Sequence, residues 1–329
     1  MSRPLCLNCF RIKGDYEMCP YCGYMENDPP KEVFQLKPGT ILQSRYIIGE
    51  SIGYGGFGIT YKAYDTILSI VVAVKEFFPA GLVNRAEGEI RVGVFSGNKA
   101  EEYEKLKNRF IEEARNLALF AKEKDIVNVF DYFEANGTAY IIMEYVDSPI
   151  MKQVIKEKGK LQEQQAVQYI CAVLRAIQKI HNQGIIHKDV SPDNIFLISE
   201  DQIKIFDFGA AKLKNGNNEK NMSIVVKAGY APPEQYRSNS RQDIRMDIYA
   251  AGAVLYQLLT GEKPAEALDR CEKDTLRSPQ QLGITCSDSV NKAVMKAMAL
   301  NPEERYGSAG EFCIALLTPE KRKKGWKWW

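Results

Sequence analysis

Between Arg45 and about Asp147 the apolar positions alternate with polar ones or gather in short blocks, as in RYIIGESI, ITYKAY and IVVAVK. That pattern predicts strands, for instance over Val71–Val74 and Ala139–Tyr145. One segment breaks the rhythm. From Glu101 to Lys122, the residues Leu106, Phe110, Ala114, Leu117 and Ala121 recur at steps of three and four, which predicts an amphipathic helix. After Ser148 the helical period takes over, most clearly at Gln164–Asn182, Asp243–Thr260 and Ser287–Leu300, with a short β-rich island at Ile195–Asp207. Asp247–Leu259 is apolar nearly all round, so it is expected to lie buried at the centre of its unit. The predicted class is α+β, a smaller β-rich part followed by a larger helical one.

Composition narrows this further. The 329 residues are 45% hydrophobic and 26% charged, which excludes disordered and collagen-like chains and suits about two packing units with a small appendage. A net charge of +2 is too near neutral for nucleic-acid binding to be expected. The longest strongly apolar run, Ile248 to Leu259, falls short of the ~18 residues of a membrane span, and MSRPLCLNCF has no signal-peptide core. A cytoplasmic location is therefore expected.

Gly53-Tyr-Gly55-Gly-Phe-Gly58 lies between two predicted strands. A glycine-rich turn lets backbone N–H groups approach a phosphate without Cβ interference, and the strand that follows separates it from dinucleotide-binding turns, which open a helix. Lys75 ends the apolar run IVVAVK, an unusual place for a merely solvated lysine. Further on, His187-Lys-Asp189-Val-Ser-Pro-Asp-Asn194 is followed, across the apolar pair IFLI and IKIF, by Asp207-Phe-Gly209. Each piece alone could be a turn. Together they bring two carboxylates and an amide to one edge of a small sheet. There one carboxylate can orient a hydroxyl, while the other and the amide hold Mg²⁺ for phosphoryl transfer from ATP.

In this order, over about Arg45 to Leu317, the pieces resemble the protein-kinase family, specifically the eukaryotic-like serine/threonine kinases of bacteria. The resemblance implies a two-lobed α+β fold that transfers the γ-phosphoryl of Mg-ATP to hydroxyls of a protein substrate. It implies Gly53, Gly55 and Gly58 as the phosphate-covering loop and Lys75 as the grip on the α- and β-phosphates. Glu113 is implied as the helix partner of Lys75, because F-x-x-E-A looks like the family helix's usual register; Glu112, one residue earlier, would point about 100° away. Asp189 is implied as catalytic base, with Asn194 and Asp207 as magnesium ligands. Met143 takes the gatekeeper position, the backbones of Glu144 and Val146 meet the adenine edge, and Ala73 and Phe196 sandwich its faces. Glu234 of APPE is expected to pair with Arg305, and Asp247 to bind the catalytic-loop backbone.

Four positions depart from the family pattern. Lys188 replaces the usual arginine. Ser191 stands where a lysine on the γ-phosphate is usual, and Lys227 where a threonine contacts the catalytic aspartate. Thr60 replaces the usual valine over the adenine. The second and third keep a nucleotide-binding pseudokinase scaffold open as an alternative, and a small-molecule phosphotransferase of the same general fold is a second. The segment between Lys75 and Glu113 is longer than a simple connection and suggests an extra hairpin.

Before the strands, Cys6-x-x-Cys9 and Cys19-x-x-Cys22 hold four of the eight cysteines. Such pairs bite one tetrahedral ion, and Cys19-Pro-Tyr-Cys22-Gly23 resembles a zinc-ribbon knuckle. A structural Zn²⁺ on Cys6, Cys9, Cys19 and Cys22 is expected; the alternatives are two disulfides, disfavoured without a signal peptide, and iron in a rubredoxin-like site, which would be odd beside a kinase. The resulting division is a zinc ribbon over 1–26, a linker over 27–44, a β-rich lobe over 45–147, a helical lobe over 148–318 and a tail over 319–329. The ribbon is expected to fold apart from the lobes. Between Asp207 and Glu234 the only hydroxyls are Ser223 and Tyr230, and Ser223 is the expected phosphosite, with Lys188 to pair its phosphate. The tail joins five cations to all three tryptophans, Trp326, Trp328 and Trp329, which suits an anionic membrane surface and a place at the inner face of the membrane.

Overall fold

A first strand, β1 (Ile41–Leu42), falls at the end of the expected linker, and the alternating stretch after it forms β2 (Tyr46–Gly55), β3 (Gly58–Asp65), β4 (Ile70–Phe77), β5 (Val83–Asn84), β6 (Gly93–Val94), α1 (Asn98–Ala118), β7 (Val129–Ala135) and β8 (Thr138–Glu144). Six of the strands make one antiparallel sheet in the order β1-β2-β3-β4-β8-β7, and β5 pairs with β6 apart from it. The computed structural model describes residues 5–25, 29–56, 58–207, 212–213, 226–237, 240 and 242–318. The chain divides into two units, residues 1–123 with 127–147, and residues 124–126 with 148–329.

In the first unit α1 lays Tyr103, Phe110, Ile111, Ala114 and Leu117 into the core. The helix ends four residues before the expected Lys122. There Leu119 N–H donates to Asn116 O (3.3 Å) and Phe120 N–H to Leu117 O (2.9 Å), the three-residue bonds that close a last turn.

The long segment between Lys75 and Glu113 carries the hairpin of β5 and β6, and from it Arg85 pairs with Glu76 of β4, both fully buried. Glu76 also accepts from the hydroxyls of Tyr61 (3.1 Å) and Tyr140 (2.9 Å), while Arg85 Nη1 donates to Phe34 O (3.0 Å). Every partner in this knot comes from a different stretch of the unit, so it fastens the hairpin to the sheet. Such a pair stabilises little by itself, but removing one partner is costly because it strands a buried charge.

Two expectations about the amino-terminal end change. The stretch read as a linker enters the core: Leu36 is 2% exposed and donates its N–H to Tyr61 Oη (3.0 Å), and the Phe34 ring lies 5.1 Å from Tyr54 and 5.4 Å from Phe78. Its polar, proline-containing composition hid two apolar anchors. The ribbon, expected to fold apart, packs on the sheet, with Phe10 stacked on Tyr64 of β3 at 5.8 Å. At Gly49 of β2 a Cβ would collide with the Leu7 carbonyl and come within 2.8 Å of the Phe10 ring, so glycine permits the approach.

The second unit holds α2 (Met151–Lys158), α3 (Glu163–Asn182), β9 (Ile185–Ile186), β10 (Ile195–Leu197), β11 (Ile203–Ile205), β12 (Lys212–Leu213), α4 (Arg245–Thr260), α5 (Ala267–Glu272), α6 (Asp288–Ala297) and α7 (Ala309–Leu317). β9 pairs with β12 and β10 with β11, both antiparallel. Every residue of α4 from Met246 to Tyr256 is buried, with α3 and α6 packed against it. Among the described residues no helix is long and apolar enough to cross a membrane.

Candidate active site

In the first unit, β4 sets Lys75 opposite Thr60 of β3 and Ile141 of β8. Lys75 Nζ donates to Glu113 Oε1 at 2.9 Å. Glu113 is buried on α1 while Glu112 is exposed, so the structure brings Lys75 together with the first of these and not the second. β2 and β3 stay paired up to Gly55 and Gly58. A Cβ at Gly58 would collide with the Glu76 carbonyl, whereas one at Gly55 would meet nothing of the protein within 4 Å. The first glycine is thus required by β4, and the space at the second is open to a ligand. Gly53 is exposed opposite Thr60; Phe57 lies outside the described residues.

Ala73 and Met143 are direct neighbours across β4 and β8, and Ala73 is buried. The N–H of Glu144 donates to Asn128 O (2.9 Å), so its share of any adenine contact falls to the carbonyl. Val146 is half-buried.

In the second unit, the site is built from α4 outward. Asp247, the one carboxylate in the buried run, accepts from the N–H of His187 (2.9 Å) and of Lys188 (2.7 Å) and lies 2.7 Å from His181 Nε2 of α3. Burial alone would raise the Asp247 carboxyl, but the hydrogen bond and charge of His181 with the Lys188 amide outweigh it and hold it below the ordinary value. Lys188 has a left-handed backbone, φ 68°, which a lysine adopts only when held. Asp247 holds its N–H, and Gln235 Nε2 donates to its carbonyl (2.8 Å). Its ammonium donates to Gln242 Oε1. The pairing expected between Lys188 and a phosphate on Ser223 falls outside the described residues, as do Phe208, Gly209 and the tail.

The turn so fixed presents Asp189. Asn194 Nδ2 donates to Asp189 Oδ2 (2.8 Å) and to its carbonyl (2.9 Å). The β10–β11 hairpin returns the chain beside Asn194, with Phe206 N–H on Asn194 O (3.1 Å), and Asp207 follows with φ 64°. Asp189, Asn194 and Asp207 are thereby brought together. Burial raises the Asp189 carboxyl above its ordinary value and the Asp207 charge adds to that, while Lys227 opposes it. Phe196 stacks on Phe206 at 4.4 Å. Arg305 grips Glu234 with Nη1 (2.5 Å) and Nη2 (3.0 Å), a bidentate pair.

The donor set beside Asp189 suits a hard cation. Both amide protons of Asn194 are directed at Asp189, which leaves its Oδ1 to accept, and with the Asp207 carboxylate this offers the oxygen ligands that Mg²⁺ takes. At the amino-terminal end the four cysteines meet with all Sγ atoms within 4.8 Å, Cys6 to Cys22 at 3.6 Å and Cys9 to Cys19 at 3.7 Å. Tetrahedral thiolates at 2.3 Å from a metal would stand about 3.8 Å apart.

The two knuckles repeat one backbone pattern: Cys6 N–H bonds Arg11 O and Phe10 N–H bonds Cys6 O, while Cys19 N–H bonds Tyr24 O and Gly23 N–H bonds Cys19 O. Burial pushes the thiols of Cys6, Cys9 and Cys22 up. It acts on Cys19 too, but the amides of Tyr21 and Cys22 prevail and bring that thiol down to about 6. Sequence reasoning missed Arg85, Gln235 and Gln242, whose residue types carry no motif, and it took Lys227 only as a departure.

A family model for the protein kinase domain matches residues 46–314. The chain is 34% identical to a probable serine/threonine-protein kinase of Clostridium acetobutylicum over 84% of its length. It is 33% identical to one of Clostridium perfringens over 87%, and 32% identical to the serine/threonine-protein kinase PknB of Mycobacterium leprae over 84%. It spans 40%, 39% and 43% of those relatives. A β-sheet unit with the Lys75–Glu113 pair, a helical unit with Asp189, Asn194 and Asp207, and these matches together place the chain in the protein kinase family, with a protein kinase domain over most of its length.

Proposed function

We propose that this chain transfers the γ-phosphoryl group of ATP to serine or threonine hydroxyls of a protein substrate. The observation that carries the reading is Asp189, held by Asn194 at 2.8 Å on a loop whose backbone Asp247 fastens. In the transfer the substrate oxygen bonds to the γ-phosphorus as the bond from phosphorus to the β,γ-bridging oxygen breaks. The electron pair leaves with ADP, and the hydroxyl proton goes to the Asp189 carboxylate. Lys75, steadied by Glu113, provides a cation for the α- and β-phosphates. Asn194 and Asp207 would hold Mg²⁺, which when bound offsets charge on the β- and γ-phosphate oxygens.

With Lys75, Glu113, Asp189, Asn194 and Asp207 all present, a scaffold that only binds nucleotide is the poorer reading. The Glu234–Arg305 pair anchors the APPE segment, which suits a protein substrate better than a small molecule. Zinc is the metal assigned to Cys6, Cys9, Cys19 and Cys22, in a structural role, because so short a ribbon has too little core to fold alone. The basic, tryptophan-bearing tail is assigned to an anionic membrane surface on the cytoplasmic side. The experiment is transfer from labelled ATP and Mg²⁺ to a generic protein, wild type beside Asp189→Asn and Lys75→Met. Asp189→Asn is expected to lose about 10²–10⁴-fold in kcat with the fold intact; equal transfer by wild type and Asp189→Asn would sink the reading.

A further inference from the structure

Lys227 comes from the far side of the unit in sequence, yet its ammonium sits among the residues of the catalytic loop. Nζ donates to Ser191 Oγ at 2.9 Å and lies 3.2 Å from Asp193 Oδ2 and 3.9 Å from Asp189 Oδ1. Ser191 is fully buried, so its hydroxyl is a fixed seat, while Lys227 keeps 33% of its side chain exposed.

Asp193 does not need this cation for neutralisation, because Lys152 already pairs with its other oxygen at 2.6 Å. An ammonium has three protons. Ser191 and Asp193 account for two, and among the described residues the third meets no acceptor closer than Asp189, at a separation beyond a hydrogen bond. A donor and an acceptor thus stand side by side, unjoined and reachable, and a phosphoryl oxygen flanked by the attacking hydroxyl is the ligand that uses both. Ser191 and Lys227 are also the two positions where hydroxyl and amine are exchanged relative to the resemblance.

We infer that Lys227 is a catalytic residue: its ammonium, seated on Ser191, contacts the γ-phosphoryl oxygens of the nucleoside triphosphate during transfer to the hydroxyl oriented by Asp189. The inference rests on the kinase reading above. It places the cation on the stretch of chain preceding Glu234 and not on the loop that carries Asp189.

The test measures kcat, KM for ATP and melting for wild type, Lys227→Met and Lys227→Arg in the full chain. Wild-type transfer establishes the kinase reading separately; its absence would overturn that reading and the inference with it. Lys227→Met is expected to lower kcat about 10²-fold, as loss of one charge-stabilising donor does, with little change in KM and melting. Lys227→Arg should keep kcat within about tenfold of wild type. Wild-type kcat in Lys227→Met would overturn the inference. So would equal losses in Met and Arg accompanied by a drop in melting, which would make Lys227 only a brace for the loop.

Discussion

Asp247→Asn is the smallest change that tests how the second unit positions Asp189. The carboxylate accepts three hydrogen bonds, from the amides of His187 and Lys188 and from His181, with no exposed surface. An asparagine of the same shape has one acceptor oxygen and one donor nitrogen. Whichever way it turns, at least one buried donor faces an NH₂ group, at about 1–3 kcal/mol, and the bonds that survive lose charge assistance, about 1 kcal/mol each. The expected destabilisation is about 3–5 kcal/mol, or roughly 6–20 °C in melting. Lys188 adds a kinetic signature. Its left-handed backbone stores about 1–3 kcal/mol, which Asp247 holds from the amide side, so the turn should relax and carry Asp189 with it. A shift of an ångström there costs about 10²-fold in kcat with less effect on KM for ATP.

The pH dependence has a definite sign. The Asp247 carboxyl is lowered in the fold, so its contribution is fully present above the unfolded value of about 4 and is lost as pH falls through the lower folded value. The stability gap between wild type and Asp247→Asn should be constant from about pH 5 upward and close only in acid. Circular-dichroism melts at several pH values and steady-state kinetics provide the measurements. A variant melting within 2 °C of wild type, or one whose kcat is unchanged, would refute the reasoning.

Arg85→Met should destabilise the first unit by about 3–5 kcal/mol, because Glu76 is left charged and buried, and Glu76→Gln in the same chain should recover much of that; urea titrations of the singles and the double decide it. Stripping the metal with a chelator is expected to loosen β2 and β3 as well as the ribbon, since Phe10 and Leu7 lie on Tyr64 and Gly49; unchanged amide-exchange protection in β2 would show that the contact carries no stability. Ending the chain at Glu320 should abolish salt-sensitive co-sedimentation with phosphatidylserine vesicles, and equal binding of both lengths would remove the membrane assignment.

The parts legible in the sequence are those whose residue types the chemistry itself demands. Asp189, Asn194, Asp207 and Lys75 are residue types that hydroxyl, metal and phosphate chemistry calls for, and the resemblance of the F-x-x-E-A stretch to the family's helix singled out Glu113, which the structure sets on Lys75. The ribbon's docking was not legible, because a single aromatic in a short unit has no period. One cue existed: the turn position that Gly23 fills in one knuckle is filled by Phe10 in the other, with φ 56°. A phenylalanine is costly there unless its ring is used, and it is used on Tyr64. The Glu76–Arg85 pair was hidden for another reason, since only the hairpin's fold brings an arginine of no motif to a strand glutamate.

Ser191 and Lys227 illustrate a different limit. Taken position by position, each is a loss, one of a cation and the other of a hydroxyl, and together they kept a pseudokinase in view. Sequence separation carries no distance, so nothing in the order of residues revealed that the two side chains meet at 2.9 Å. Once they do, the pair amounts to one exchange across a contact, in which the hydroxyl and the ammonium are both still present beside Asp189 and only the strand of chain that supplies each has changed. Electrostatic stabilisation depends on where a charge stands at the moment of transfer and not on which residue number carries it. An apparent defect in a motif is therefore evidence of lost chemistry only after the space around the missing group has been searched for its replacement.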